Sequence, residues 1–391
     1  MENISIIGKS CVGCRSCEQV CPVKCISVNE NKEGFLYPSV DENTCIHCGK
    51  CIKSCPVKNE ALHRNQPASV WALTNKNDQN IMNSASGGAS DILVRSIIND
   101  DGVAYGAAYD QNFVVHHMEV ASTDDARKIQ SSKYVQSDTR NVYSEVKQRL
   151  AEGKKVLFTG TPCQVAGLYA FLGGDKEGLY TADIICHGVP SPKFFKKYVE
   201  YMDRVLDGKI IYYNFRSKAK RGWGTQYLLK TKTKTKTKTK TKTLSLDRYG
   251  SHFMASDCFR ECCYECVYAN TNRVGDVTIG DFWGIAKSHP ECYTPKGVSS
   301  VFVNTDKGNE LLPIIQQNGR VKKATLQEGL VKQGNLVQPS SRPASRDHFY
   351  DHIDDPDFID NMKVGLKMKE RVKTLLPAGV VKMIKSARIG R

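Results

Sequence analysis

A chain of 391 residues is long enough for two or three domains and a large buried core, and far longer than a small electron carrier alone requires. Its 56 Lys and Arg against 41 Asp and Glu give a net charge of +15, but seven of those lysines sit in one run, 230–243, without which the charge falls to +8. The excess is therefore local and does not mark a specific nucleic-acid surface, and the lack of any run of about 18 apolar residues excludes a membrane-spanning helix.

In chain order, the first 55 residues carry two copies of one spacing, C-x2-C-x2-C-x3-C-P. The first copy is Cys11, Cys14, Cys17 and Cys21 before Pro22, and the second is Cys45, Cys48, Cys51 and Cys55 before Pro56. Three thiolates two residues apart on a tight loop wrap three corners of an iron–sulfur cube. The proline then turns the chain away without leaving an N–H unpaired. In this bacterial pattern the fourth Cys of each run ligates the other cluster. Cysteines 11, 14, 17 and 55 are thus expected around one 4Fe–4S cluster, and 45, 48, 51 and 21 around a second. Disulfides suit small secreted domains, but no apolar leader precedes the motif, and zinc ribbons use pairs of Cys and not runs of four. Sixteen Cys point instead to a cytoplasmic chain with reduced, metal-binding thiols.

This cluster domain is expected to span 1–62, with a polar linker at 63–69. Apolar strands then alternate with helices: strands at 70–74, 103–109, 155–159 and 180–186, and helices at 90–99, 143–153 and 164–172. The succession predicts a mixed-sheet α/β domain over 70–345. Segments 223–229 and 244–249 read as strands, so the Lys-Thr run between them extends a hairpin whose tip is solvated. Within a single strand its period of two places lysines on one face and threonines on the other. Residues 346–391 form a basic amphipathic helical tail interrupted at Pro377. Such a segment either lies on an anionic membrane surface or packs on its own domain.

A further group of thiols, Cys258, Cys262, Cys263 and Cys266, follows the insertion. The spacing C-x4-C-x2-C of Cys258, Cys263 and Cys266, completed by Cys163 or Cys186, predicts a third cluster; Cys262 is the alternative ligand and a zinc site the competing reading. Cys25 and Cys292 stand outside the motifs and are expected to be ordinary buried thiols. Residues 84–88, SASGG, precede a helix and could present N–H groups to a pyrophosphate, or simply form its entry turn.

The ordered motifs SASGG, SSKYVQS, FTGTPCQVAGL, DIICHGVPSP, CFRECCYEC and RVGDVTIGDFWG, spread over 70–318, resemble the beta subunits of coenzyme F420-reducing hydrogenases and formate dehydrogenases. That resemblance implies an iron–sulfur and FAD-containing oxidoreductase. It makes Ser86, Gly87, Gly88, Lys133, Gln136 and Thr161 candidates for the FAD site, and Cys163, Cys258, Cys263 and Cys266 candidates for the inner cluster. His187 and Asp281 become candidate catalytic residues, His187 as a proton donor, with a purely structural histidine as the other reading. The implied reaction takes electrons from a redox partner such as reduced ferredoxin and passes them to a two-electron acceptor. That acceptor is a deazaflavin or a substrate of surface-polysaccharide synthesis, the latter in keeping with a membrane-proximal tail. The alternative from another class is a non-catalytic electron-transfer or scaffold subunit.

Overall fold

In a computed structural model, residues 2–59, 64–233, 239–244 and 247–362 are described, with 376, 377, 379–381 and 383. Half of the tail 346–391 therefore lies outside the described residues. The fold is mixed α/β. Strands β1 (Ile26–Glu30) and β2 (Leu36–Val40) pair as a small antiparallel ribbon beside the cysteine loops. An eight-stranded sheet follows, built from β3 (Ser69–Asn75), β4 (Val103–Tyr109), β5 (Val115–Val120), β6 (Val156–Gly160) and β7 (Leu179–Ile184). A separate three-stranded sheet holds β8 (Gly208–Asn214), β9 (Tyr227–Thr233) and β10 (Thr239–Leu244). Strands β11 (Val277–Asp281), β12 (Ser299–Val303) and β13 (Gly319–Ala324) complete the large sheet in the order β13-β3-β12-β11-β7-β6-β4-β5.

The four central strands β4, β6, β7 and β11 run parallel, so their carboxyl ends share one edge. That edge is where open α/β sheets place ligands, because the chain must turn there into loops and helix N-termini. After β6 the chain enters the helix Pro162–Leu172 through a capping box of Thr161 and Gln164 with proline in the first turn, and leaves it at left-handed Gly173. The helix is buried along most of its length between the sheet and the N-terminal domain.

Polar contacts lock the cysteine-rich domain onto this edge. Arg15 forks onto Asp138 at 2.7 Å, Thr139 donates to the Cys14 carbonyl at 2.8 Å, and the Gln136 amide donates to the Val12 carbonyl at 3.1 Å. Arg346, nearly fully buried, pairs with Glu33 at 2.8 Å. Charge-assisted bonds of this kind fix geometry as well as attract.

The Lys-Thr run forms much of β9 and β10, with its tip outside the described residues. Segment 244–249 departs from the expected strand: the described pairing reaches Leu244, and the Asp247 side chain accepts from the Gly250 N–H to start the helix Arg248–Ala255. Lysine faces threonine across the hairpin, Lys240 opposite Thr231 and Lys230 opposite Thr241. Among the described residues no two lysines stand directly opposite each other across the β9–β10 pair, although Lys209 of β8 faces Lys232 on the other side of β9, and the charged edge strand discourages further pairing. None of the described repeat residues lines either large cavity. Shortening the repeat is therefore expected to leave iron and flavin content unchanged; loss of either on anaerobic cofactor assay would show that the hairpin supports the site.

Candidate functional site

The eight N-terminal cysteines gather in two groups of four. Cys11, Cys14, Cys17 and Cys55 surround one small void, and Cys21, Cys45, Cys48 and Cys51 another. Each run thus contributes three thiols to one group and its fourth to the other. The short helices Ser16–Val20 and Lys50–Lys53 produce this crossing by packing together, each entered through a left-handed residue, Arg15 or Gly49. Burial pushes the thiols of Cys14, Cys17, Cys51 and Cys55 up from their ordinary value. Such groups become thiolates when metal binding supplies the driving force, so the donor set fits two clusters. Cys25 is buried, as expected, and also lines the second void with its Sγ 3.4 Å from that of Cys21.

A further thiol group opens on a cavity of about 420 Å³ at the carboxyl edge of the sheet. Cys163 comes from the first turn of the helix Pro162–Leu172, Cys186 from the loop after β7, and Cys262, Cys263 and Cys266 from the 3-10 turn Glu261–Glu265 and its exit. Cys258 does not join them, which corrects the C-x4-C-x2-C reading. It is fully buried in an aromatic core with Tyr249, Phe259 and Tyr350, and its carbonyl accepts from the Tyr350 hydroxyl at 2.6 Å. The backbone between 258 and 262 explains this. The Arg260 N–H pairs with the Val189 carbonyl, anchoring that stretch against the loop after β7 and leaving Cys258 on the core side. Burial and the neighbouring Cys266 push the Cys163 thiol up to about 12. A Cβ on Gly167, one turn further along the same helix face, would lie 2.8 Å from the Cβ of Cys14. One helical turn, about 5.4 Å of rise, therefore separates a thiol of this group from the packing surface of the Cys11 group.

Next to it lies a larger cavity of about 580 Å³, within the range of cofactor pockets, about 300–1,000 Å³. Ser86, Gly88, Lys133, Gln136, Thr161, His187 and Asp281, singled out from five separate segments of the sequence, all line it. Gly87 does not line it. A Cβ there would meet the Leu73 carbonyl at 2.1 Å and the Ser299 N–H at 2.4 Å, so this glycine serves close packing between β3 and β12. Gly88, at φ +89°, starts the helix Ala89–Asn99, whose N-terminus has no side-chain cap and faces the cavity. On the central strand β7, Ile184 is 38% exposed, an apolar surface left open where a ring-shaped ligand would cover it. These features together fit a flavin dinucleotide: an uncapped helix start for phosphate and an apolar floor for the ring.

The polar side chains differ in how far they are already committed. Lys133 donates to the carbonyls of Lys128, Gln130 and Ser131, and burial lowers its pKa to about 7. Asp281 is held by Arg216 at 2.8 Å and by the Trp223 indole at 2.6 Å, so it anchors the cavity wall. His187 lines both cavities, and burial shifts its pKa down while Asp281 opposes that shift. Arg216 and Trp283, absent from the motif reading, also line the larger cavity. Trp283 stacks on Trp223 at 5.0 Å, with the Arg216 guanidinium 5.6 Å from its ring. The motif GDFWG contains Trp283, but its stacking partner comes from a loop 60 residues earlier.

Residues 153–328 match the family model for the C terminus of the coenzyme F420 hydrogenase/dehydrogenase beta subunit, and residues 10–59 and 37–99 match models of a 4Fe-4S dicluster domain. Over those stretches the chain is similar to a 4Fe-4S dicluster domain followed by the C terminus of a coenzyme F420 hydrogenase/dehydrogenase beta subunit. It is an iron–sulfur electron-transfer protein related to subunits of hydrogenases and dehydrogenases. Among solved structures, a chain of the F420-reducing [NiFe] hydrogenase complex from Methanosarcina barkeri is similar at 16% identity and a TM-score of 0.46, covering 76% of this chain and 90% of that one. No curated protein matches. No helix among the described residues is long and apolar enough to cross a membrane.

Proposed function

We propose that this beta-subunit relative is a flavin-dependent iron–sulfur oxidoreductase, carrying single electrons from the Cys21 group through the Cys11 group and the inner thiols to FAD in the larger cavity. The observation that carries the reading is a shared wall: Thr161, Cys163, Cys186 and His187 line both the inner thiol cavity and the larger one. Val12, inside the first cysteine run, lines both as well and also faces the Cys11 void. The inner cluster is assigned to Cys163, Cys186 and Cys266 with one of the adjacent pair Cys262 and Cys263. Of that pair, Cys262 is the thiol whose charge bears on both Cys163 and Cys266.

Flavin bound there supplies the exchange between one-electron and two-electron transfer. The protein's residues do the rest. The start of the helix Ala89–Asn99, beside Ser86, would hold the dinucleotide phosphates, while Lys133 holds the loop 128–131 in place through its carbonyls. Gln136 ties this loop to the first cysteine run through Val12, so cofactor and relay keep one geometry. Arg216 and Asp281 neutralise each other and present Trp283 at the cavity wall as a surface for a flat acceptor. His187 lines the cavity wall and could give a proton to the reduced acceptor as the imidazolium, the form that burial disfavours and that the nearby Asp281 charge supports. A deazaflavin is the acceptor suggested by the family's description, and a reduced ferredoxin-like carrier is the donor.

Anaerobic purification with iron, sulfide, zinc and flavin quantified tests the reading. About twelve irons with one FAD per chain is expected. About eight irons with zinc and no flavin would leave a non-catalytic carrier in its place.

A further inference from the structure

Arg260 is fully buried at the junction between the N-terminal domain and the sheet domain. Its guanidinium donates to three neutral oxygens: the Cys11 carbonyl at 2.6 Å, the Leu36 carbonyl at 2.9 Å and the Gln136 amide at 3.1 Å. It also lies 4.0 Å over the Tyr37 ring. Among the described residues no carboxylate pairs with it; its acidic neighbours are the thiols of Cys11, Cys262 and Cys263 and the Tyr37 hydroxyl. The other fully buried arginines do have carboxylates, Arg273 with Asp183 at 2.9 Å and Arg346 with Glu33 at 2.8 Å. A cation removed from water is strongly disfavoured unless a counter-charge accompanies it, and neutral hydrogen bonds do not supply one. Arg260 therefore has its counter-charge in what the thiols on either side of it hold.

We propose that Arg260 is the shared counter-cation of two clusters, the one on the Cys11 group and the one on the inner thiols, and that it raises the reduction potential of both relative to the Cys21 cluster. The argument is electrostatic. Reduction adds negative charge to a cluster, and a fixed cation in a low-dielectric junction stabilises the reduced form. Arg260 does not line the void of the Cys21 group, and the thiols that act on it most strongly are those of Cys11, Cys262 and Cys263. One side chain thereby slopes the relay towards the flavin cavity. The inner half of the proposal rests on the function proposed above, whereas the Cys11 half does not.

EPR-monitored redox titration of the anaerobic full-length protein tests it, with iron counted in each preparation. Arg260→Gln removes the charge and keeps a hydrogen-bonding side chain; the Cys11 cluster and the inner cluster should both move to more negative potential while the Cys21 cluster stays in place. Arg260→Lys keeps the charge and loses the fork, and should leave all three potentials near wild type. Gln136→Glu places a carboxylate against the guanidinium and should repeat the effect of Arg260→Gln, which decides the matter if the latter does not fold. Potentials that stay put in Arg260→Gln and Gln136→Glu overturn the proposal. So does a uniform shift of all three clusters, or an Arg260→Lys shift as large as that of Arg260→Gln, which would mark a structural role. A preparation with only two clusters counts against the inner site, while the Cys11 shift still reports on Arg260.

Discussion

Serine in place of Cys266 is expected to remove about four irons per chain and leave the N-terminal pair of clusters intact. Cys266 opens on the inner cavity with Cys163 and Cys186, and burial pushes its thiol up, so without metal it gains nothing from lying there as an ion. A single missing thiolate opens one corner of a four-iron cube, and the hydroxyl of serine is a poor replacement for a soft ligand. Cys258→Ala is the matched comparison. That thiol sits in the aromatic core, and its loss should cost about 0.5–3 kcal/mol of stability with iron content unchanged. Anaerobic iron and sulfide counts on both variants, with thermal unfolding as the second readout, separate the roles. If Cys258→Ala loses four irons as Cys266→Ser does, the spacing reading is restored; if Cys266→Ser loses none, the cavity assignment fails. Cys262→Ser and Cys263→Ser then place the last corner: the cluster goes with Cys262 if the charge felt by Cys163 and Cys266 identifies the ligand.

The contrast between Cys258 and Cys266 also marks how far the sequence could be read. The N-terminal ligand groups were legible, down to the exchange of Cys21 and Cys55, because each run carries three ligands within seven residues and the loop itself fixes which way the sulfurs point. Around 258–266 the spacing alone could not say which side of the chain faces the cavity. The pairing of Arg260 with Val189, a partner 71 positions earlier, decides it. Loop and turn motifs on the carboxyl edge could be located because small residues and prolines mark where strands end. Their convergence depends on the parallel order of β4, β6, β7 and β11, which no local pattern states. The Asp281 ion pair with Arg216 is of the same kind: Asp281 ends a strand of the large sheet while Arg216 follows a strand of the three-stranded sheet, and the chain between them gives no periodic signal. Gly87 was misread for a simpler reason. A glycine needed against a ligand and one needed against a neighbouring strand look identical in sequence.

Valine in place of Gly167 should break the relay between the N-terminal domain and the inner site without replacing a ligand. The added Cβ would stand 2.8 Å from the Cβ of Cys14, 2.8 Å from the Tyr143 hydroxyl and 3.0 Å from the Cys14 sulfur. Tyr143 cannot yield freely, since its ring is fully buried and its hydroxyl donates to the Gln164 carbonyl at 2.8 Å. Cys14 is the side that gives, and moving it displaces or empties the Cys11 cluster. Overpacking of this sort costs about 1–3 kcal/mol, with Gly167→Ala at the lower end and valine at the upper. The expected result is reduced iron content or, where iron is retained, slower reduction of bound flavin in rapid mixing with a reduced carrier that enters through the Cys21 group. Gly334→Ala, at a position where an added Cβ meets nothing within 4 Å, should behave as wild type. Native iron content together with a native transfer rate in Gly167→Val would mean that electrons do not pass along this helix face, because a contact that tight cannot be altered while leaving a cluster-to-cluster path through it unchanged.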